Sequence, residues 1–359
     1  MIGDRLKRAR EAAGFSLRDL EGAIEAEVSA QAIGKYERNE MMPGSNVLLR
    51  LAKALKVTPE YLLGTRDITL VGVDFRKATR ASAKEVKSVE AIVLDHIERY
   101  LELEFLMPGA ELEWVAPRGN TFKVHEIEQA EIAAESLREQ WVLGISPIAN
   151  MTELLEIKGI KVISLDLPQN VSGSKAFVRR PDAEDVAVIV VNRAHNGDRQ
   201  RFTLAHELAH LALKFIGMSD TEQEKAADRF AGAFLMAKQM VHQVLGLNRT
   251  SVSIGELVEI KKVFKTSVPC LIVRCSQLGI LSRGSYGKLW AQVRQLGWNA
   301  PGSNEPNQCP SEVPQRMALL GLRAVVEQVI SKAKAAELLR MDIHELDDRL
   351  EPERRLVPA

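Results

Sequence analysis

Phe202-Thr203-Leu204-Ala205-His206-Glu207-Leu208-Ala209-His210 is the stretch on which the fold turns. Its leucines and alanines favour helix, and positions i and i+4 of a helix share a face. His206 and His210 are therefore placed to grip one zinc ion. Glu207 is directed at the ion's open position, where it can act as general base on a bound water. Leu204, Leu208, Leu211 and Leu213 supply apolar packing around them. The H-E-x-x-H spacing is that of zinc metallopeptidases, although two surface histidines on an amphipathic helix would give the same string. Setting polar groups among apolar flanks is costly unless they bind something, which favours the metal.

Catalytic zinc takes three protein ligands and a water. Gly217-Met218-Ser219-Asp220 breaks the first helix, and a second begins at Thr221. Glu224 and Asp228 share a face of that helix, and Ala226, Ala227 and Ala231 let it pack closely on a neighbour. Glu224 is expected as third ligand, with Asp228 accepting the far N–H of a ligand histidine. Glu222 competes for the ligand role but has no carboxylate four residues on.

R-F-T-L-A-H-E-L-A-H, then E-K-A-A-D-R-F-A and A-F-L-M, resembles the ImmA/IrrE family of bacterial metallopeptidases. The resemblance runs from roughly Thr121 to Gly297 and includes Trp141-Val142-Leu143-Gly144-Ile145-Ser146-Pro147-Ile148. It implies a zinc-dependent endopeptidase, in a family associated with cutting or inactivating repressor proteins. Ala237 departs from the proline that many relatives carry, which touches a helix end and leaves the ligands alone.

The N-terminus carries the second signal. Leu6, Ala9, Arg10 and Ala13 repeat at helical spacing up to Gly14, and Ser16 caps a helix from Leu17 to Ile24. Val28-Ser29 introduces a third, Ala30 to Arg38; Asn46 to Leu55 is the fourth, and Val57-Thr58-Pro59 leads into a short fifth ending at Leu63-Gly64. Five short helices around S-A-Q-A-I-G-K-Y-E-R-N-E-M-M-P resemble the XRE, or Cro/C1, helix-turn-helix family. That resemblance implies binding to double-stranded operator DNA, with the third helix in the major groove. Gln31 would read an adenine edge, and Ser29, Lys35, Arg38 and Asn39 would contact phosphates or neighbouring bases. Glu25-Ala26-Glu27 lengthens the turn before that helix and brings two acids near the DNA-facing side.

Lysine plus arginine and aspartate plus glutamate stand at 48 each, so no global charge points to nucleic acid. A local surface has to serve, with Lys7, Arg8, Arg10 and Arg18 as candidates. Cys270, Cys275 and Cys309 show no metal spacing and suit reduced thiols. The longest apolar run, Val186 to Val191, is too short to span a bilayer, and no signal peptide is expected. A cytoplasmic protein with no membrane partner is expected.

Val71 to Lys77 reads as a short extended piece. From Ser82 a helix carries an apolar stripe from Val86 to Phe105, expected to pack on the peptidase domain. A helix from Val124 to Gln140 follows, then strands at Lys161 to Leu165, Ala176 to Arg179 and Val186 to Asn192, the last running into the zinc helix. Their edge beside the metal could take a peptide as an extra strand. Further helices span Leu257 to Phe264, Ser267 to Leu278, Arg316 to Ser331 and Lys334 to Leu339, with Asn299 to Pro314 as a flexible loop and Pro352 to Ala359 as a tail. Tyr286 and His242 are guesses for an oxyanion donor.

The expected fold is multidomain: an all-α five-helix helix-turn-helix head, an α+β zincin-like metallopeptidase domain and a helical C-terminal region. The boundaries are 1–66 for the head, 67–120 for a connecting strand and long helix, 121–250 for the peptidase domain and 251–359 for the C-terminal region. Three functions compete. One is a DNA-binding regulator, possible as a homodimer, with an active zinc endopeptidase that cuts a repressor or partner protein. Another is a non-catalytic autoregulator acting as the antitoxin of a toxin-antitoxin module, its peptidase-like domain holding the toxin. The third is a sensor whose zinc is structural; Glu207, a base that such a site does not need, favours the first.

Overall fold

A computed structural model describes residues 2–57, 59–63, 68–72, 83–181, 183–300 and 303–351. In chain order the first elements are α1 (Ile2–Ala12), α2 (Leu17–Ala23), α3 (Ala30–Glu37), α4 (Ser45–Leu55), α5 (Pro59–Leu63), β1 (Thr69–Val71) and α6 (Ala83–Leu106). Then come β2 (Lys123–Val124), α7 (Gln129–Gln140), α8 (Met151–Ile157), β3 (Lys161–Leu165), β4 (Gly173–Arg180) and β5 (Ala183–Asn192). They are followed by α9 (Gly197–Ala212), β6 (Lys214–Phe215), α10 (Asp220–Leu235), α11 (Lys238–Leu245), α12 (Ile254–Phe264), α13 (Val268–Gln277) and α14 (Arg283–Gln295). The last are α15 (Arg316–Val326), α16 (Lys332–Leu339) and α17 (Ile343–Leu350). Two compact units result: Met1–Glu113 with Phe177–Val186 and Gln315–Ala359, and Trp114–Ala176 with Ala187–Pro314. The region expected as one C-terminal piece, 251–359, is thus shared between them. Thr58, Gly64, residues 73–77, Ser82 and the tail from Pro352, all named above, lie outside the described residues.

In the first unit the head folds on local signals. Gly14, at φ 70°, lets the chain leave α1 in the left-handed region that a side chain would disfavour. Ser16 and Asp19 form a reciprocal cap at the start of α2, and Ser29 caps α3 by accepting from the Ala32 N–H. Leu6, Leu20, Ile33, Leu51 and Leu62 close a core among the five helices. The long turn between α2 and α3 has positive φ at Glu25 and Ala26. Its acids face Arg50 of α4, at 3.4 Å from Glu25 and 2.5 Å from Glu27, so their charge is partly compensated within the head.

The stripe on α6 is taken up inside this unit, which corrects the expectation that it packs on the peptidase domain. Tyr100, Leu103 and Met107 form one apolar cluster with Met317 and Leu320 of α15 and Leu338 of α16. On the α1 side, Arg5 pairs with the buried Glu98. Asp95 of α6 accepts from Arg340 at 2.7 Å. Pattern periodicity says that a helix face is buried but not by what, and α15 to α17 lie more than two hundred residues away in the chain. α17, absent from the sequence reading, starts at Asp342, whose side chain accepts from the His344 N–H.

The sheet order is β1-β4-β5-β3. β3 runs parallel to β5 in register from Lys161↔Val188 to Leu165↔Asn192, and β1 pairs antiparallel with the outer part of β4 from Thr69↔Arg179 to Val71↔Phe177. β2 pairs with β6 in a second, parallel ladder. The helix expected from Val124 begins only at Gln129. Phe122, Lys123, Val124 and His125 alternate buried and exposed, a period of two that suits a strand.

The loop expected to be flexible is, from 303 to 314, tied to the second unit. Lys261, fully buried, bonds Asp198 and Glu305 at 2.6 Å each. Asp198 also accepts from the Cys309 N–H at 3.1 Å. Glu312 accepts from the N–H groups of Met151 and Thr152 at the start of α8 and pairs with Arg201. A Cβ at Gly197 would sit 2.4 Å from the Cys309 carbonyl oxygen, so only glycine admits this crossing. Composition rich in Pro, Gly and Ser marks irregular backbone; whether it is anchored depends on partners distant in sequence. Among the described residues no helix is long and apolar enough to cross a membrane, and the three cysteines are free thiols.

Candidate metal centre and helix-turn-helix face

α9 starts at Asn196, whose side chain accepts from the Arg199 N–H, and carries His206, Glu207 and His210 over a face backed by buried Leu204, Ala205, Leu208 and Ala209. Buried Ala226, Ala227 and Ala231 on α10 let the two helices approach closely. α7 holds α10 from the other side: Arg229 bonds Glu131 at 2.6 Å, and Arg138 donates to the Phe234 carbonyl at 2.5 Å. Ser219 and Glu222 form a reciprocal cap at the start of α10, with Glu222 accepting from the Ser219 N–H at 2.8 Å and its hydroxyl at 2.6 Å. That holds the competing carboxylate in the cap, while Glu224 is the one that meets the histidines.

Among the described residues, His206, His210 and Glu224 form a group able to hold a metal ion. His206 Nε2 lies 3.2 Å from His210 Nε2 and 3.2 Å from Glu224 Oε2, and His210 Nε2 lies 3.5 Å from Glu224 Oε1. Tetrahedral zinc, with bonds of about 2.0–2.1 Å, sets its ligand atoms about 3.3 Å apart, so the triangle has the size zinc requires. His206 Nδ1 lies 2.9 Å from Asp228 Oδ1, which fixes the proton there and turns the Nε2 lone pair toward His210 and Glu224. Burial opposes charge on His206, yet Asp228 and Glu224 outweigh it and hold the imidazole pKa at about 10. Glu224 is held well below the usual carboxylate range by its hydrogen bonds to His206 and His210. Both shifts belong to the same contact, an imidazolium donating to a carboxylate, in which a metal cation would take the place of the Nε2 proton.

Glu207 sits beside this triangle. Burial pushes its carboxyl above the usual range, against the pull of His206 and His210. The backbone N–H of Lys175 on β4 donates to it, a contact the sequence reading missed. The available signal was Gly173: an isolated glycine in a strand marks close backbone approach. A Cβ there would meet the Val190 carbonyl oxygen at 2.5 Å and Thr203 Cγ2 at 2.7 Å. Phe215 on β6, equally unforeseen, lies 5.6 Å from the His210 ring, centroid to centroid. Tyr286 instead leans on Trp290 of α14, and His242 lies on α11; neither belongs to the metal-holding group.

On the head, α2 and α3 border a surface groove of about 430 Å³ lined by Leu17, Arg18, Ala30, Gln31, Gly34, Lys35 and Arg38. Gln31 and Lys35 are exposed there and able to meet a base edge and a phosphate. Three other residues expected at DNA have local work. Ser29 Oγ caps α3, Arg38 pairs with Glu40 at 2.6 Å, and Asn39 Oδ1 accepts from the Gly3 N–H at 2.9 Å. Arg10, expected on the basic surface, turns inward to Glu37 at 2.6 Å and to the Phe15 carbonyl.

Comparisons with known proteins agree with this division. Residues 155–276 match the family model described as IrrE N-terminal-like domain, of peptidase type M78, and residues 6–62 match the helix-turn-helix model. The HTH-type transcriptional regulator ImmR of Bacillus subtilis (strain 168) is similar to this chain, 32% identical over 68 residues. The match covers 19% of this chain and 52% of the relative, so the chain spans about half the length of that curated relative.

Proposed function

We propose that this chain, which joins an XRE-type helix-turn-helix domain to an ImmA/IrrE-type metallopeptidase domain, is a DNA-binding regulator that cleaves a repressor or other partner protein. The carrying observation is the position of Glu207, a half-buried carboxylate beside a zinc-sized triangle of His206, His210 and Glu224. A purely structural metal site has no use for such a base. When bound, zinc supplies a Lewis acid that makes a water nucleophilic near neutral pH.

The chain's own residues do the rest. His206, His210 and Glu224 hold the ion, and Asp228 keeps the His206 proton on Nδ1. Glu207 takes a proton from the attacking water on its carboxylate oxygen and passes it to the departing amine. Burial raises its proton affinity, which helps it hold that proton between the two transfers. From Gly173 to Ala176, β4 borders Glu207 through the Lys175 N–H, and its backbone is suited to an extended peptide adding as a further strand. Gln31 and Lys35 address operator DNA, and a homodimer would serve two half-sites.

The test uses the full chain and its Glu207→Gln variant, with metal content measured first. Each is then incubated with the purified products of neighbouring genes. Zinc near one per chain in both, with cleavage by the parent alone, supports the reading. Zinc in both and cleavage in neither moves the function to a non-catalytic regulator such as an antitoxin.

A further inference from the structure

The ribbon that backs the metal centre carries an unbalanced charge. β2 and β6 pair in parallel with Lys123↔Lys214 and Val124↔Phe215 in register, and the Ile216 N–H donates to the Val124 carbonyl at 2.9 Å. Side chains alternate along a strand, so the ribbon has two distinct faces. One holds buried Val124 and partly buried Phe215, the latter against the ring of His210. The other sets Lys123 beside Lys214, both exposed, with His125 two residues further along β2's direction. Like charges side by side on paired strands are destabilising. No ion pair compensates Lys123, Lys214 or His125 among the described residues.

Around Lys123 and His125 opens a surface pocket of about 390 Å³, completed by Asn120, Thr121, Gln129 and Ile132. Its polar side chains include no carboxylate, and Gln129 spends its carbonyl oxygen on the His125 N–H, which leaves its NH2 to donate. The pocket is tied to the metal centre by two routes. Its strand pairs with the strand whose Phe215 abuts His210, and its helix, α7, is bonded to α10, the helix of Glu224, by Arg229–Glu131. An anion-seeking surface is therefore built on the elements that frame the ligands.

We propose that Lys123, Lys214 and His125 form an exosite for an acidic segment of a protein substrate, docking it one ribbon away from His210. Here the proposal rests on the peptidase reading for the word substrate, while the binding itself does not require turnover. An acidic guest accounts for both the like-charge pair and the acid-free pocket, and Ile132 and Ile216, both exposed, offer apolar contact between its acidic residues.

The experiment uses the full chain as Glu207→Gln, so that a peptide is not consumed. Two fluorescein-labelled dodecapeptides are titrated by anisotropy, one alternating glutamate with apolar residues, the other its glutamine counterpart. The acidic peptide should bind about five- to tenfold tighter, and Lys123→Gln with Lys214→Gln should erase that preference while zinc content stays unchanged. Equal binding of the two peptides, or a preference that survives the double substitution, overturns the proposal. So does displacement of the acidic peptide by duplex DNA that disappears with the two lysines, because it identifies the surface as a nucleic-acid contact. Cleavage by the parent chain is scored separately. Its failure with the lysine-dependent preference intact would sink the peptidase reading and leave an acidic-partner site standing.

Discussion

The recognition helix α3 and the helix pair α9–α10 both carry polar residues at helical spacing, yet they use them differently. Around α3 the expected DNA contacts lie along one continuous segment from Ser29 to Asn39, and three of five have partners inside the head: Ser29 as a cap, Arg38 with Glu40, Asn39 with Gly3. On α9 and α10 the expected residues come from two segments and meet at one point, with separations of 3.2 to 3.5 Å. A surface that meets an external ligand leaves its polar groups free to satisfy local needs first. A convergent site spends them on each other.

The sharpest way to break this contrast is to remove a converging group. His210→Ala should lower zinc from near stoichiometric to undetectable by atomic emission, with operator binding by the head unchanged. Glu207→Gln should keep the zinc and cut cleavage by roughly a thousandfold, measured in single turnover. Asp228→Asn should weaken zinc by about 10–100-fold in competition with a chromogenic chelator, while Glu222→Gln, which touches only the cap, should leave zinc affinity as it is. Equal losses from those two carboxylates would erase the distinction between ligand support and helix capping.

On the head the effects should be smaller and of two kinds. Gln31→Ala should cost about 1–3 kcal/mol of discrimination between operator and a base-substituted site, read by anisotropy at fixed salt. Asn39→Ala should lower head stability by about 1 kcal/mol in denaturant unfolding, because it leaves the Gly3 N–H without its acceptor. A loss of discrimination from Asn39→Ala with unchanged stability would return that residue to the DNA interface.

The smallest expected effect concerns pH. In metal-free protein the Glu207 carboxyl sits above its ordinary value of 4.5, so the native state holds that proton more tightly than the unfolded chain. Native stability therefore falls as pH rises from 4.5 toward the folded value, and Glu207→Gln escapes that loss. The variant should melt a few degrees higher than the parent near pH 8 and match it near pH 4 in calorimetry.

Much of this was legible along the chain. Ser16, Gly14, Asn196 and Ser219 signal helix ends through bonds that reach only a few residues, and each ends or caps a helix as such residues do. The reading failed where partners lie far apart in sequence. Nothing near Val86 to Phe105 says that α15 and α16 cover it, and nothing in a Pro- and Gly-rich loop says that Lys261 and Arg201 anchor it. At Lys123–Val124 two residues of strand are too few to reveal a period against the helix that follows.

Local spacing alone puts His206 and His210 on one face, because a helix makes i and i+4 neighbours whatever surrounds it. It also determined that a capped five-helix head precedes them. Only the tertiary structure decided that Glu224 and not Glu222 meets the histidines and that Lys175 reaches Glu207 through its backbone. It alone set two lysines side by side behind the metal centre. Those outcomes depend on which distant segments pack together, and packing is settled by the burial and pairing of the whole chain, where local spacing has no say.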